Sequence, residues 1–180
     1  MFLFWNIHDE CDEAIYSISK GDRNALSVIY REYGKMIFSV ALQIVKQKSD
    51  AEDVLQDTML KILKSAHGYR KGTNPKAWVL SIARSCALDR LKKRGNDLPL
   101  DTEAHDCSFA EDNVEFIYIN EALNKLSHDE QLIIKLRYYA DLDHKEMAKV
   151  MGISCAAARK RCQRALEKLR SYFEEREEKK

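Results

Sequence analysis

Net charge is almost absent from this chain: 30 lysines and arginines face 29 aspartates and glutamates. The total therefore neither points to nor excludes a polyanionic partner until charge is resolved along the sequence. Close cysteine pairs are absent too. Cys11, Cys86, Cys107, Cys155 and Cys162 are scattered and odd in number, which leaves out zinc and redox motifs and fits reduced, mostly structural thiols. His8, His67, His105, His128 and His144 stand in no triad or metal-ligand spacing, and His8 with Cys11 is too little for a site. Neither an enzyme, a metal centre nor a cofactor is expected. Long apolar runs are missing as well: Met1 to Ile7 has no basic flank and meets His8, Asp9 and Glu10 before reaching signal-peptide or membrane-spanning length. A cytoplasmic protein without membrane insertion is the expectation. Alternating, strand-like patterns are scarce, because Val and Ile recur at helical spacing.

What remains is an all-α chain. Asp22 is placed to cap a long helix through about Lys46, whose apolar positions Val28, Ile29, Met36, Ile37, Val40 and Ile44 recur in steps of three and four. Ser49-Asp50-Ala51-Glu52 fits a capping box opening a helix to about Ala66. His67 to Thr73 holds two glycines and no apolar period, so a loop is expected, and Asn74-Pro75 restarts a helix that runs to about Arg94. From Gly95 to about Asp112, acids replace apolar residues, which reads as a flexible acidic linker. Beyond it, Val114 to Leu126 is periodic, and Ser127-His128-Asp129-Glu130 and Asp143-His144-Lys145-Glu146 are two further capping-box patterns. The expected architecture is two small helical domains, residues 1–95 and 114–175, joined by a linker over 96–113 and followed by a charged tail at 176–180. The stretch from Glu174 onward is expected to fray.

In the second domain, the helix opened by Asp143 stops at Gly152, and Ile153-Ser154 starts another, which is helix-turn-helix spacing. Ala158, Cys162, Ala165, Leu166 and Leu169 share one face of the second helix, so Arg159, Lys160, Gln163 and Arg164 project elsewhere. A charged stripe is commonly just a solvated surface. Here, however, Arg159, Lys160, Arg161, Arg164, Lys168 and Arg170 are opposed only by Glu167, on the helix that would enter a major groove. Arg159, Lys160, Gln163 and Arg164 suit base edges, and Arg161 and Lys168 suit phosphates.

The first domain offers three more candidates. Glu52, Asp53, Gln56 and Asp57 cluster early in their helix, where acids favour the dipole whatever else they do. Tyr69 lies beside Arg70 and Lys71, an aromatic surface with neutralising charge that suits single-stranded DNA, although an aromatic can equally anchor its own loop. Arg84, Arg90, Lys92, Lys93 and Arg94 form a basic surface fit for phosphates, and Trp78 is either a wedge at a duplex junction or a core aromatic.

The order of these motifs resembles the small extracytoplasmic-function sigma factors over roughly residues 10 to 170. Leu136-Arg137-Tyr138, Met151-Gly152-Ile153-Ser154 and Arg159 to Ala165 are similar to the domain that binds the minus-thirty-five element. Asp50 to Thr58 looks like the helix that binds the polymerase clamp, which implies that role for Glu52, Asp53, Gln56 and Asp57. Asn74 to Trp78, Ile82 to Arg84 and Leu88-Asp89 look like the minus-ten helix, with Ser85 where asparagine is common. The resemblance implies core RNA polymerase and promoter DNA, both duplex and melted, as partners, and an anti-sigma factor as a further one. It also implies that Tyr69 captures an unstacked base and that the acidic linker runs through polymerase. Ala157 and Ala158 replace the usual threonine and valine, and Ser127 and Gln131 a common proline and arginine. A helix-turn-helix regulator acting on duplex DNA without polymerase is the alternative.

Overall fold

The structure, a computed structural model, describes residues 2–94 and 114–177, with side chains described over 10–94 and 119–176. The described residues form two compact helical units, one on either side of the interval 95–113. The acidic linker expected from Gly95 to Asp112 lies outside the described residues.

The first unit packs four helices: α1 (Phe2–Ser19), α2 (Leu26–Val45), α3 (Lys48–Ser65) and α4 (Pro75–Arg94). Asp22 does act as a cap, its Oδ1 accepting from Asn24 N at 3.0 Å, but it opens a short tight turn, Arg23–Ala25, ahead of α2. The expected capping box at Ser49 does not form. Lys46 ends α2 in the left-handed conformation (φ 62°), with its N–H on Leu42 O at 2.9 Å, and Gln47 is extended, so α3 already begins at Lys48. Ser49 is then inside the helix, and Asp50 occupies the first turn. The apolar periods of α2, α3 and α4 meet where Ala41, Val45, Ala51, Val54, Cys86 and Ala87 are buried. Small residues predominate at this contact, which lets the helices approach closely. Cys11 on α1 is fully buried, and burial pushes its thiol up to about 11 despite a hydrogen bond with Tyr33 that acts the other way. Burial likewise raises the thiols of Cys86 and Cys162. These three are packing groups, protonated at neutral pH.

The second unit contains α5 (Val114–Asn124), α6 (His128–Ile134), α7 (His144–Met151) and α8 (Cys155–Glu177). Both capping boxes expected here are present. Glu130 N and Ser127 Oγ, and Ser127 N and Glu130 Oε2, pair at 3.4 and 2.9 Å. The same reciprocal bonds join Asp143 and Glu146, both at 2.8 Å. Gln131 Nε2 donates to Leu123 O (2.9 Å) and Leu126 O (3.2 Å), closing the end of α5. After α6 the chain widens into one turn with five-residue spacing, Ala140 N donating to Lys135 O at 3.1 Å. Gly152 (φ 64°) ends α7 in the left-handed region, Ile153 N returns to Ala148 O at 3.1 Å, and Ser154 Oγ accepts from Ala157 N at 3.1 Å to start α8. This is a Schellman turn followed directly by an N-cap, and it sets the angle of the helix-turn-helix. Helix α8 extends through Glu177, into the stretch from Glu174 that was expected to fray. Tyr172 OH and Arg176 Nη1 both bind Glu121 Oε2 of α5, at 3.0 and 2.8 Å, and this anchors the last turns of α8.

Glu130 is buried at the head of α6 and receives Lys168 Nζ of α8 at 2.8 and 2.9 Å. Lys168 and then the Ser127 N–H hold its carboxyl below the usual glutamate range. A carboxylate depressed in this way contributes stability that is complete above its ordinary value of 4.5 and is lost as pH falls toward the folded value. Glu130→Gln keeps one oxygen for the Ser127 N–H of the capping box and removes the charge and the second acceptor that Lys168 meets. At pH 7 it should lower the melting temperature of the second unit by roughly 5 °C, followed in the full chain by circular dichroism. The gap to wild type should narrow below pH 4.5, and a gap independent of pH would rule out the ion pair as its source.

Candidate functional site

The helix-turn-helix presents α8 with Ala158, Cys162 and Ala165 inward. Leu166, expected to share that face, is 38% exposed, because the inward stripe is filled by the smaller residues that α6 and α7 pack against. Arg159, Lys160, Gln163 and Arg164 are all exposed. Their surroundings separate them. Gln163 Nε2 is bonded to Glu167 Oε1 at 2.8 Å, whereas among the described residues no hydrogen bond or ion pair holds the side chain of Arg159, Lys160 or Arg164. The two residues assigned to phosphates turn back onto the head of α6: Arg161 Nη1 meets Asp129 Oδ2 at 2.6 Å, and Lys168 meets Glu130. A shallow hollow lies between the start of α6 and α8, lined by Ser127, Asp129, Ala157, Lys160, Arg161 and Arg164. Ala157 leaves an exposed, featureless position at its edge.

In the first unit, Glu52, Gln56 and Asp57 are exposed along α3, and Asp53 is half-exposed. Leu60, one turn further on, is 55% exposed and completes this face. It was not among the sequence candidates, although its absence from the apolar period of α3 was the available signal. Asp53 is not wholly free for a partner, because Arg90 Nη2 bonds its Oδ2. Asp50 had no assigned role, yet it is the polar centre of the unit. Its buried carboxylate takes Arg90 Nε at 2.9 Å and Arg94 Nη1 at 3.2 Å, and Asp50, then Asp53, hold the Arg90 guanidinium above its ordinary value. The basic surface expected over Arg84, Arg90, Lys92, Lys93 and Arg94 is therefore narrower. Arg90, with Asp50 and Asp53, and Arg94, with Asp50, are held in ion pairs, which leaves the exposed Lys92 and Lys93 and the half-buried Arg84. Ser85 Oγ accepts from Lys61 Nζ at 3.2 Å, and the same lysine lies 3.7 Å from Asp89.

The loop between α3 and α4 brings Tyr69 and Trp78 together, their rings tilted at 59° with centroids 5.0 Å apart. Both are half-buried, so Trp78 stands outside the core and packs on Tyr69. The Tyr69 hydroxyl faces Asp12 Oδ1 and Thr73 O (2.9 Å), and burial, then Asp12, push its ionisation up. Arg70 is exposed, while Lys71 is paired with Glu13 and lies 5.0 Å from the centre of the Tyr16 ring. No described helix is long and apolar enough to cross a membrane.

Comparison with known proteins adds to this geometry. Sigma-70 region 2 matches residues 29–96 and Sigma-70, region 4, residues 116–169. The chain is 30% identical over 135 residues to RNA polymerase sigma factor SigV of Bacillus subtilis, covering 74% of this chain and 81% of that protein. It is 26% identical over 162 residues to the ECF RNA polymerase sigma factor SigX of the same organism, covering 82% of each. Among solved structures, the fold is similar to CnrH in complex with the cytosolic domain of CnrY, with a TM-score of 0.66 at 19% identity over 92% of this chain and 97% of that one. It is also similar to the sigma factor RpoE of Bartonella quintana in complex with the anti-sigma factor NepR, with a TM-score of 0.62 at 22% identity over 78% and 91%.

The contrast between Asp50 and Asp57 separates a structural acid from a surface one. Asp50→Ala leaves two guanidinium partners without their shared carboxylate and should cost about 1–3 kcal/mol in denaturant unfolding of the full chain. Asp57→Lys, on the exposed face, should leave the unfolding midpoint where it is. Equal midpoints for the two variants would contradict the assignment.

Proposed function

The chain belongs to the extracytoplasmic-function family of RNA polymerase sigma factors, and on that footing we propose how its two units divide the work of a factor that binds core polymerase and recognises promoter elements. Residues 1–95 bind the polymerase clamp and the minus-ten region, residues 114–175 bind the minus-thirty-five element, and residues 96–113 pass through the polymerase. The observation that carries the DNA-reading half is the outward row Arg159, Lys160 and Arg164, charged and untied among the described residues, on the second helix of a helix-turn-helix. These three read base edges with Gln163, once Gln163 exchanges Glu167 for a base. Arg161 and Lys168 reach phosphates by exchanging Asp129 and Glu130 for the DNA backbone, which makes their contribution smaller than their charge suggests.

On α3, the exposed face of Glu52, Asp53, Gln56 and Asp57, with Leu60 at its end, meets the clamp. A few acids around one exposed leucine suit an interface whose centre is apolar and whose rim is polar. In the loop, Tyr69, backed by Trp78, stacks one unstacked base of the non-template strand. Arg70 and Lys71, together with Arg84, Lys92 and Lys93, follow the backbone, and Ser85 lies on the same helix toward the duplex. The protein works in the cytoplasm, beside polymerase. An anti-sigma factor is proposed as a further partner, by likeness to two solved sigma factors described in complex with the cytosolic domain of CnrY and with NepR.

Two experiments test the proposal. Core polymerase with this chain should initiate at a subset of a broad promoter library where core alone does not. No added initiation across that library would sink the reading in favour of a regulator that binds duplex DNA by itself. Within such a complex, Tyr69→Ala should slow permanganate reactivity of the minus-ten thymines while leaving duplex binding by α8 intact; unaltered melting would count against base capture.

A further inference from the structure

Asp12 lies on α1, far in sequence from every residue assigned to DNA, and it is 7% exposed. Burying a carboxylate is costly unless its oxygens are bonded. Both oxygens here are turned to the loop between α3 and α4. Oδ1 accepts from the Tyr69 hydroxyl, and the N–H of Gly72 bridges both oxygens at 3.2 and 3.1 Å. Gly72 sits at φ +82°, a conformation that side-chain-bearing residues rarely adopt, and this orientation lets its N–H point at the carboxylate.

Among the described residues, other ties of the loop are weaker or local, the Tyr69 hydroxyl to Thr73 O at 2.9 Å among them. Tyr69 N to Ala66 O (3.0 Å), Thr73 N to Arg70 O (3.2 Å) and Thr73 Oγ1 to Arg70 O (2.8 Å) all join residues within the loop or at its edge. They shape it without fixing where it stands on the unit. Lys71 and Glu13 also link it to α1, but both side chains are about half exposed, and such pairs contribute little. The buried anchor is Asp12, and it grips the tyrosine that the proposed function places against a base.

We propose that Asp12 is a positioning residue for promoter melting: by holding the Tyr69 phenol and the Gly72 backbone, it presents the Tyr69 ring, tilted against Trp78, in the orientation that receives an unstacked base. The inference rests on the base-capture reading of Tyr69. A stacking surface fixed beforehand does not have to be ordered when the base arrives, so the carboxylate acts on melting without touching DNA. Asp12 makes no contribution to duplex recognition by α8, which belongs to the other unit.

The test uses the full chain with core polymerase on a promoter it activates, with 2-aminopurine placed in turn at each minus-ten position of the non-template strand. The rate of the fluorescence rise reports unstacking. Asp12→Ala and Tyr69→Phe should each slow that rise about tenfold, and the double variant should be about as slow as Asp12→Ala alone, because the two variants share the loss of the Asp12–Tyr69 bond. Asp12→Asn, which keeps an acceptor oxygen, should recover most of the rate, and duplex binding should not move in any variant. A wild-type or faster rate for Asp12→Ala overturns the proposal. Should that variant fail to fold, Tyr69→Phe decides, since it keeps the ring and deletes only the hydroxyl that faces Asp12 and Thr73 O. A normal rate for Tyr69→Phe with a slow Tyr69→Ala removes the role of Asp12 and leaves base capture standing, whereas a normal rate for Tyr69→Ala removes both.

Discussion

The carboxylate of Asp50 is the constraint on which the first unit depends. It stands in the opening turn of α3 and collects two guanidinium groups from the closing turns of α4, so the start of one helix is tied to the end of another. The arrangement satisfies both helix dipoles at once, with an acid at one N-terminus and bases at one C-terminus. It also decides what is left over. With Arg90 and Arg94 committed inward, the outward charge of α4 is carried by other residues, and with Asp50 inward, the acids of α3 that remain exposed lie on a separate face. Glu130 and Lys168 repeat the device in the second unit, joining the first turn of α6 to α8.

A chain with nearly equal numbers of acids and bases thus sorts them by position. Acids that begin helices are consumed in holding the fold, as Asp50, Glu130, Asp143 and Glu146 are. Bases that follow them in space lose their freedom. Among the described residues, Arg159, Lys160 and Arg164 are charges this pairing leaves unspent, and the near-zero net charge reported nothing about them.

Legibility in the sequence followed the range of each interaction. The helices from α2 onward, both capping boxes of the second unit and the Gly152 turn are encoded within four residues, and sequence spacing showed them directly. Ser49 misled because the same local pattern was pre-empted: Lys46 in the left-handed region starts α3 earlier than the serine. The candidate site was legible as residue types and faces, but not as states. Nothing near Arg161 or Lys168 in sequence indicates Asp129 or Glu130, and nothing near Tyr69 indicates Asp12, because those partners are brought close only by helix packing. The N-terminal segment showed no sequence signal beyond its apolar start, and its role as α1 follows from contacts with residues far along the chain.

The inward face of α8 is built from Ala158, Cys162 and Ala165, small groups that α6 and α7 cover completely, while Ala157, Lys160 and Arg164 stand clear of that packing. On the proposed reading, stability and sequence preference are therefore written on different sides of the same helix. On that reading, replacement of an outward side chain redirects the protein to another set of sites at little structural cost, so a lineage carrying this scaffold is free to diversify its targets while the scaffold itself stays fixed.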